Sequence, residues 1–165
     1  MWYRGNVDPY WIDDDYKQVH FVHKPAKHEL VQEWKRMGYD YKTYTGDMYN
    51  VINDIPPWIS NVSKQIGLEN CGYTIYKMQT GIVMPLHVDH MDRYCQVFDV
   101  DKDKVWRCIV ALENWRSGHY FEISGTPILD YKAGDYICWS SDEEHMAANI
   151  GPYTRYTLQI TGTKN

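Results

Sequence analysis

Two hydrophobic periods divide this chain. In PAKHELVQEWKRMG, residues 25–38, Leu30, Val31, Trp34 and Met37 recur at helical spacing, behind a leading proline and ahead of a glycine, which predicts an amphipathic helix. PPWISNVSKQIG, residues 56–67, predicts a second, with Ile59, Val62 and Ile66 on one face and Gly67 as its stop. From Cys71 onward the period falls to two. GYTIYKMQ, IVMPLHVD, KVWRCIVALE, HYFEIS, GDYICWS and YTRYTLQIT follow one another, separated by TG, NWRSG, SGTP, KAG and IGP. Short strands so closely spaced predict an all-β sandwich or barrel, backed by the two helices. MDRYCQVFDVDKDK, residues 91–104, carries neither period and reads as a loop.

In YTRYTLQIT, alternation sends Tyr153, Arg155, Thr157, Gln159 and Thr161 to one face and Thr154, Tyr156, Leu158 and Ile160 to the other. The apolar face must pack, the helices being the available partner. If it packs so, the polar face lines the interior, where Arg155 requires an anion, because an unpaired buried charge is costly; the alternative is a strand on the outside with Arg155 in water.

Composition narrows the class. A chain of 165 residues builds one domain with one core, and its 15 % aromatic content suits half-polar sheet faces. The formal charge of -5 disfavours nucleic acid as a partner, since a phosphate backbone calls for a basic face. Cys71, Cys95, Cys108 and Cys138 show no C-x-x-C spacing, which speaks against a zinc ribbon or a redox dithiol. The opening MWYRGNVDPYWIDDD has no apolar stretch of the signal-peptide or membrane-spanning kind. The expectation is a cytoplasmic protein with reduced thiols and no membrane partner.

The candidate chemistry lies in LHVDHMDRYC, residues 86–95. On a strand, His87 and Asp89 project from one face and Val88 from the other. A third ligand is needed, and His145, in SSDEEHMAANIG, is the candidate. Two imidazoles and one carboxylate on one side of a metal, with the remaining positions open, form the facial triad of non-haem Fe(II) oxygenases.

The order of these pieces resembles a known family. His87-x-Asp89, the GDYICW strand (Gly134, Asp135, Trp139), the distal His145 and Arg155 ten residues later are similar to the Fe(II)/2-oxoglutarate-dependent oxygenases, most of all their prolyl-4-hydroxylase-like branch. WRCIVALEN and WSSDEEH resemble that branch's strand between the two halves of the triad and its approach to the distal histidine. The resemblance covers about the last three-fifths of the chain and implies a mainly β fold: a double-stranded β-helix, the jelly roll of a cupin-like barrel. Residues 71–163 would form this core and residues 1–66 a helical support region, together one domain over 1–165. It also implies roles. His87, Asp89 and His145 would hold Fe(II), and Arg155 would fork onto the distal carboxylate of 2-oxoglutarate, a pairing lysine replaces poorly. Tyr76 and Thr157 would contact the same co-substrate. With dioxygen as second co-substrate, 2-oxoglutarate is decarboxylated to succinate and an aliphatic C–H bond is hydroxylated, in a peptide, a protein side chain such as prolyl, or an amino-acid-like small molecule.

Other residues admit two readings. Arg107 alternates with Ile109 and Ala111 and so faces the barrel mouth, to contact substrate or to form a structural salt bridge. Asp92, Arg93 and Tyr94 follow the triad and are candidates for a substrate lid or for an ordinary loop. His90 leaves the shared strand face, and His20, His23 and His28 lack a carboxylate at useful spacing. DVDKDK lacks the Gly and Glu of a calcium loop, with Lys104 and Val110 in their places. The demethylase branch of the family carries a second Arg six residues after the first, where this chain has Thr161, which again disfavours nucleic acid. Two competing functions stand beside the oxygenase: a cupin-type metalloenzyme that does not use 2-oxoglutarate, and a barrel that binds without catalysis.

Overall fold

The computed structural model describes residues 1–11, 14–39 and 45–164. Besides short 3₁₀ turns, the described residues form eleven strands and three α-helices: β1 (Trp2–Asn6), β2 (Val22–His23), α1 (His28–Arg36), β3 (Asp47–Val51), α2 (Pro57–Ile66), β4 (Glu69–Met78), β5 (Val83–His87), α3 (Asp92–Phe98), β6 (Val105–Ala111), β7 (His119–Ile123), β8 (Thr126–Pro127), β9 (Asp135–Ser140), β10 (His145–Asn149) and β11 (Arg155–Thr163). The strands form two antiparallel sheets. One has seven strands in the order β1-β9-β6-β11-β4-β3-β2 and the other four in the order β5-β10-β7-β8. This is a mainly β jelly roll, a double-stranded β-helix with helices packed outside it.

Alternation along the larger sheet separates two apolar clusters. Ile75, Cys108, Val110, Cys138, Leu158 and Ile160 point outward, where Ile59, Val62 and Ile66 of α2 and the aromatic rings of Trp11 and Tyr16 cover them. Tyr76, Met78, Ile109, Ala111, Ile137 and Trp139 point inward, towards Phe121, Ile123 and Ala147 of the smaller sheet. Leu158 and Ile160 are fully buried, each stabilising the fold by about 1.5–3 kcal/mol relative to exposure. α2 ends as its sequence dictates: Gly67 takes a left-handed φ of 78°, and its N–H returns to the Ser63 and Lys64 carbonyls.

Several expectations are corrected. Residues 91–104 are not a simple loop, because Asp92–Phe98 form α3 and Lys102–Lys104 a 3₁₀ turn. The helix has no buried residue, so no apolar stripe announced it. Residues 1–66 supply more than helices, since β1 joins one edge of the larger sheet and β2 and β3 the other. β10 carried no readable period, because HMAAN buries His145, Ala147 and Asn149 and leaves Met146 and Ala148 half-buried, so polar and apolar residues do not alternate. Met37 leaves the apolar face of α1 to cap its C-terminus, 51 % exposed, and Tyr153 lies outside β11.

α1 reaches the edge of the smaller sheet and holds β5. Trp34 is completely buried, and its indole N–H donates to the Leu86 carbonyl at 3.0 Å, one residue before His87.

Candidate metal centre

β5 and β10 are neighbours, paired so that His87 stands opposite His145. Their rings lie 4.3 Å apart. Each imidazole is oriented by a short local hydrogen bond, His87 Nδ1 to the Pro85 carbonyl at 2.7 Å and His145 Nδ1 to the Glu143 carbonyl at 3.0 Å. A carbonyl only accepts, so in the neutral form of each ring the proton sits on Nδ1 and the lone pair on Nε2. Such outward anchoring is what a metal-binding histidine requires.

Both lone pairs face Asp89. His87 Nε2 lies 3.8 Å from Oδ1 and His145 Nε2 lies 3.5 Å from Oδ2. The three ligand atoms fall within 4.8 Å of one another. Burial drives the His145 pKa down to about 3, against the pull of Asp89 and with the help of His87 and Arg107, so this imidazole stays neutral. Burial raises the Asp89 carboxyl, but Arg107, His145 and His87 outweigh it and hold it below the usual carboxylate value. The neutral His145 imidazole, the His87 Nε2 and the Asp89 carboxylate thus converge, an arrangement that suits a cation. His87, Asp89 and His145 can hold a metal ion.

Asp89 departs from the expected strand geometry. β5 ends at His87, and residues 88–91 form an irregular turn closed by Met91 at a left-handed φ of 59°. The carboxylate therefore reaches the histidines from a loop, where Arg107 Nε meets Oδ2 at 3.3 Å.

The triad opens into a cavity of about 740 Å³ whose wall includes Arg155, Thr157, Gln159, Thr161, Tyr76 and Arg107. Arg155 is 5 % exposed. Its Nε donates to the Tyr131 hydroxyl at 3.0 Å, and its guanidinium lies about 6 Å from the ring centres of Phe121 and Tyr131. Among the described residues no carboxylate pairs with it. Thr157 lies on the same face with a buried hydroxyl that has no hydrogen-bond partner among the described residues. The Tyr76 hydroxyl accepts from the Gly46 N–H at 2.5 Å, and burial raises it to about 12, so it remains a neutral phenol. Gly46 is needed there: a Cβ would stand 2.2 Å from the Lys77 carbonyl oxygen.

Asp92, Arg93 and Tyr94 border the same cavity from α3, the first two exposed and Tyr94 donating to the Asn70 carbonyl at 2.6 Å. His90 is exposed at the rim, and His20, His23 and His28 are exposed away from the triad. Sequence reasoning missed Tyr131, which sits in a turn with no periodic signal, and took Trp34 only as core. Trp139 lies 4.8 Å from His145, its indole N–H buried without an acceptor among the described residues. The four cysteines are free, and among the described residues no helix is long and apolar enough to cross a membrane.

No family model matches the chain and no curated protein matches its sequence. Solved structures share its fold. A prolyl-4-hydroxylase from Pseudomonas putida is similar over 99 % of this chain and 92 % of its own, at 13 % identity and a TM-score of 0.57. The cupin domain of Cnp3 from Schizosaccharomyces pombe (9 % identity, 72 % of this chain and 64 % of that one, TM-score 0.45) and a predicted oxalate decarboxylase from Thermotoga maritima (15 % identity, 71 % and 79 %, TM-score 0.45) are more distant. At these identities the likeness establishes the double-stranded β-helix and nothing finer.

Proposed function

We propose that the protein is an Fe(II)- and 2-oxoglutarate-dependent oxygenase that hydroxylates an aliphatic C–H bond of a peptide, a protein side chain such as prolyl, or an amino-acid-like molecule. One observation carries the reading: a buried arginine with no carboxylate partner among the described residues shares a cavity with a two-histidine, one-carboxylate cluster. A dianionic oxo acid answers both demands at once, one end chelating at the cluster and the other pairing with Arg155.

Bound iron would supply the open coordination positions and the redox chemistry by which dioxygen and 2-oxoglutarate become carbon dioxide and succinate while the substrate gains a hydroxyl. The chain's own residues do the rest. His87 and His145 present their Nε2 lone pairs, and Asp89 contributes one negative charge. Arg155 receives the distal carboxylate, with the Tyr131 bond fixing the plane of its fork. The Thr157 hydroxyl and the Tyr76 phenol stand on paired positions of β11 and β4 as further donors to that carboxylate. Phe121, Trp139 and Met78 keep the surrounding wall apolar.

A second reading has its own observation. The Tyr131 hydroxyl and two aromatic rings already attend Arg155, which suits a structural arginine in a cupin-type metalloenzyme that does not use 2-oxoglutarate, or in a barrel that only binds. Anaerobic titration with Fe(II) and then 2-oxoglutarate separates the two. The visible charge-transfer band of a chelated oxo acid, present in the wild type and absent in His87→Ala, supports the oxygenase. Iron binding without a band supports the second reading.

A further inference from the structure

Asp89 lacks what fixes its two partner ligands. His87 ends a paired strand and His145 begins one, each with its imidazole tied to a nearby carbonyl, whereas Asp89 follows the end of β5 on an irregular turn. Among the described residues, no backbone or hydroxyl donor binds its carboxylate. The arginine or lysine that pairs with it among the described residues is Arg107, whose Nε lies 3.3 Å from Oδ2 as an ion pair without hydrogen-bond geometry.

Arg107 is well placed to impose a direction. It projects inward from β6, a strand paired on both sides by β9 and β11. Gln159 of β11 accepts from one terminal nitrogen at 3.3 Å, and the Met91 sulfur lies 3.4 Å from the other. The guanidinium therefore grips the ligand turn twice, at Asp89 and at Met91, and anchors it to the rigid centre of the larger sheet. Met91 is 8 % exposed and closes that turn in a left-handed conformation, strained for a side chain of its size.

We infer that Arg107 is the positioning residue of the metal centre: it clamps one oxygen of Asp89 so that the carboxylate presents the other to the ion. This inference rests on the reading of His87, Asp89 and His145 as metal ligands, and it assigns Arg107 to neither of its sequence-derived roles, substrate contact or a salt bridge of fold stability alone. A guanidinium suits the task because its planar fork donates to Gln159 and Met91 while its charge pairs with Asp89, whereas a lysine ammonium is a point charge on a flexible stem.

The test is Mn(II) binding to the metal-free protein by calorimetry, with thermal melting of the metal-free protein and a Co(II) visible spectrum alongside. Arg107→Met, which keeps the apolar stem, should weaken Mn(II) binding by about ten- to hundredfold, the usual cost of removing a residue that orients a ligand. The Co(II) bands should change in shape, and the metal-free melting temperature should stay within a few degrees. Arg107→Lys should recover part of the affinity, and Gln159→Leu should lose a smaller part. Unchanged or tighter Mn(II) binding in Arg107→Met would overturn the inference, as would a loss of affinity fully explained by a collapsed melting temperature. Failure of the wild type itself to bind Mn(II) or Co(II) would instead overturn the metal-site reading on which it rests.

Discussion

The two faces of β11 are built from alternate residues of one nine-residue strand, yet they do opposite things. Outward, Leu158 and Ile160 are sealed beneath α2 in a cluster of aliphatic and aromatic side chains. Inward, Arg155, Thr157, Gln159 and Thr161 line the cavity that holds the histidine and aspartate cluster. The outer face offers many contacts and no chemistry. The inner face carries a buried cation with no carboxylate partner and a buried hydroxyl with no hydrogen-bond partner among the described residues, which is a cost in stability. Stability and function are thus divided by side of the sheet rather than by segment of the chain, and substitutions should separate them.

The largest separation should come from His145→Ala, which should abolish measurable Fe(II) or Mn(II) binding by calorimetry while the metal-free protein still melts cooperatively. Leu158→Ala should do the reverse. Truncation at a fully buried site costs about 2–5 kcal/mol, so a urea titration should show a clearly lower midpoint with metal affinity within about threefold of the wild type. If both variants lost metal binding and stability together, the division between the faces would be wrong. Next in size, Arg155→Met should weaken 2-oxoglutarate binding by about ten- to hundredfold with little change in iron affinity, because a charged hydrogen-bonding partner is worth about 1.5–3 kcal/mol. Equal losses for both ligands would remove Arg155 from the co-substrate.

Acid should act on the inner face first. The folded pKa of His145, lowered to about 3 by burial, lies below the unfolded value of about 6.5. Stability from this group is complete above the higher value and is lost as the pH falls towards the lower, by at most about 1.4 kcal/mol per unit, because the unfolded chain takes up a proton that the folded one refuses. Asp89, also lowered, adds a loss of the same sign at more acid pH. Melting temperatures of the metal-free protein from pH 7 to 4.5 should fall more steeply than those of His145→Gln; parallel curves would contradict the assignment. The smallest effect should be Trp34→Phe, which deletes the bond to the Leu86 carbonyl and should cost about 1 kcal/mol in a urea titration, with a slight loss of metal affinity through β5.

Much of this division was legible in the sequence. The alternation of β11 marked both its faces, with Arg155 on the inner one, where it is buried. The period of α2 placed Ile59, Val62 and Ile66 correctly on its buried side. What escaped has physical reasons. β1 and β2 are short edge strands and β3 is a short strand beside β2, and their place depends on partners elsewhere in the chain, such as the pairing of Trp2 with Trp139. β10 is too poor in branched apolar residues to signal a strand, though it carries His145. Extrapolating β5 through Asp89 assumed that the strand continued, when a turn intervenes. The contact of Arg107 with Asp89 joins residues on different elements, which no local period encodes. Tyr131 escaped for the same reason, since its hydroxyl meets Arg155 only after β11 has folded beside it.

The indole of Trp34, packed edge-on to His87 at 5.9 Å, and that of Trp139, 4.8 Å from His145, give the site a built-in optical readout. A paramagnetic ion seated between the two imidazoles would lie beside both fluorophores and quench their emission. Occupancy can then be followed in the unlabelled protein, in real time and at low concentration, by light that the chain itself emits.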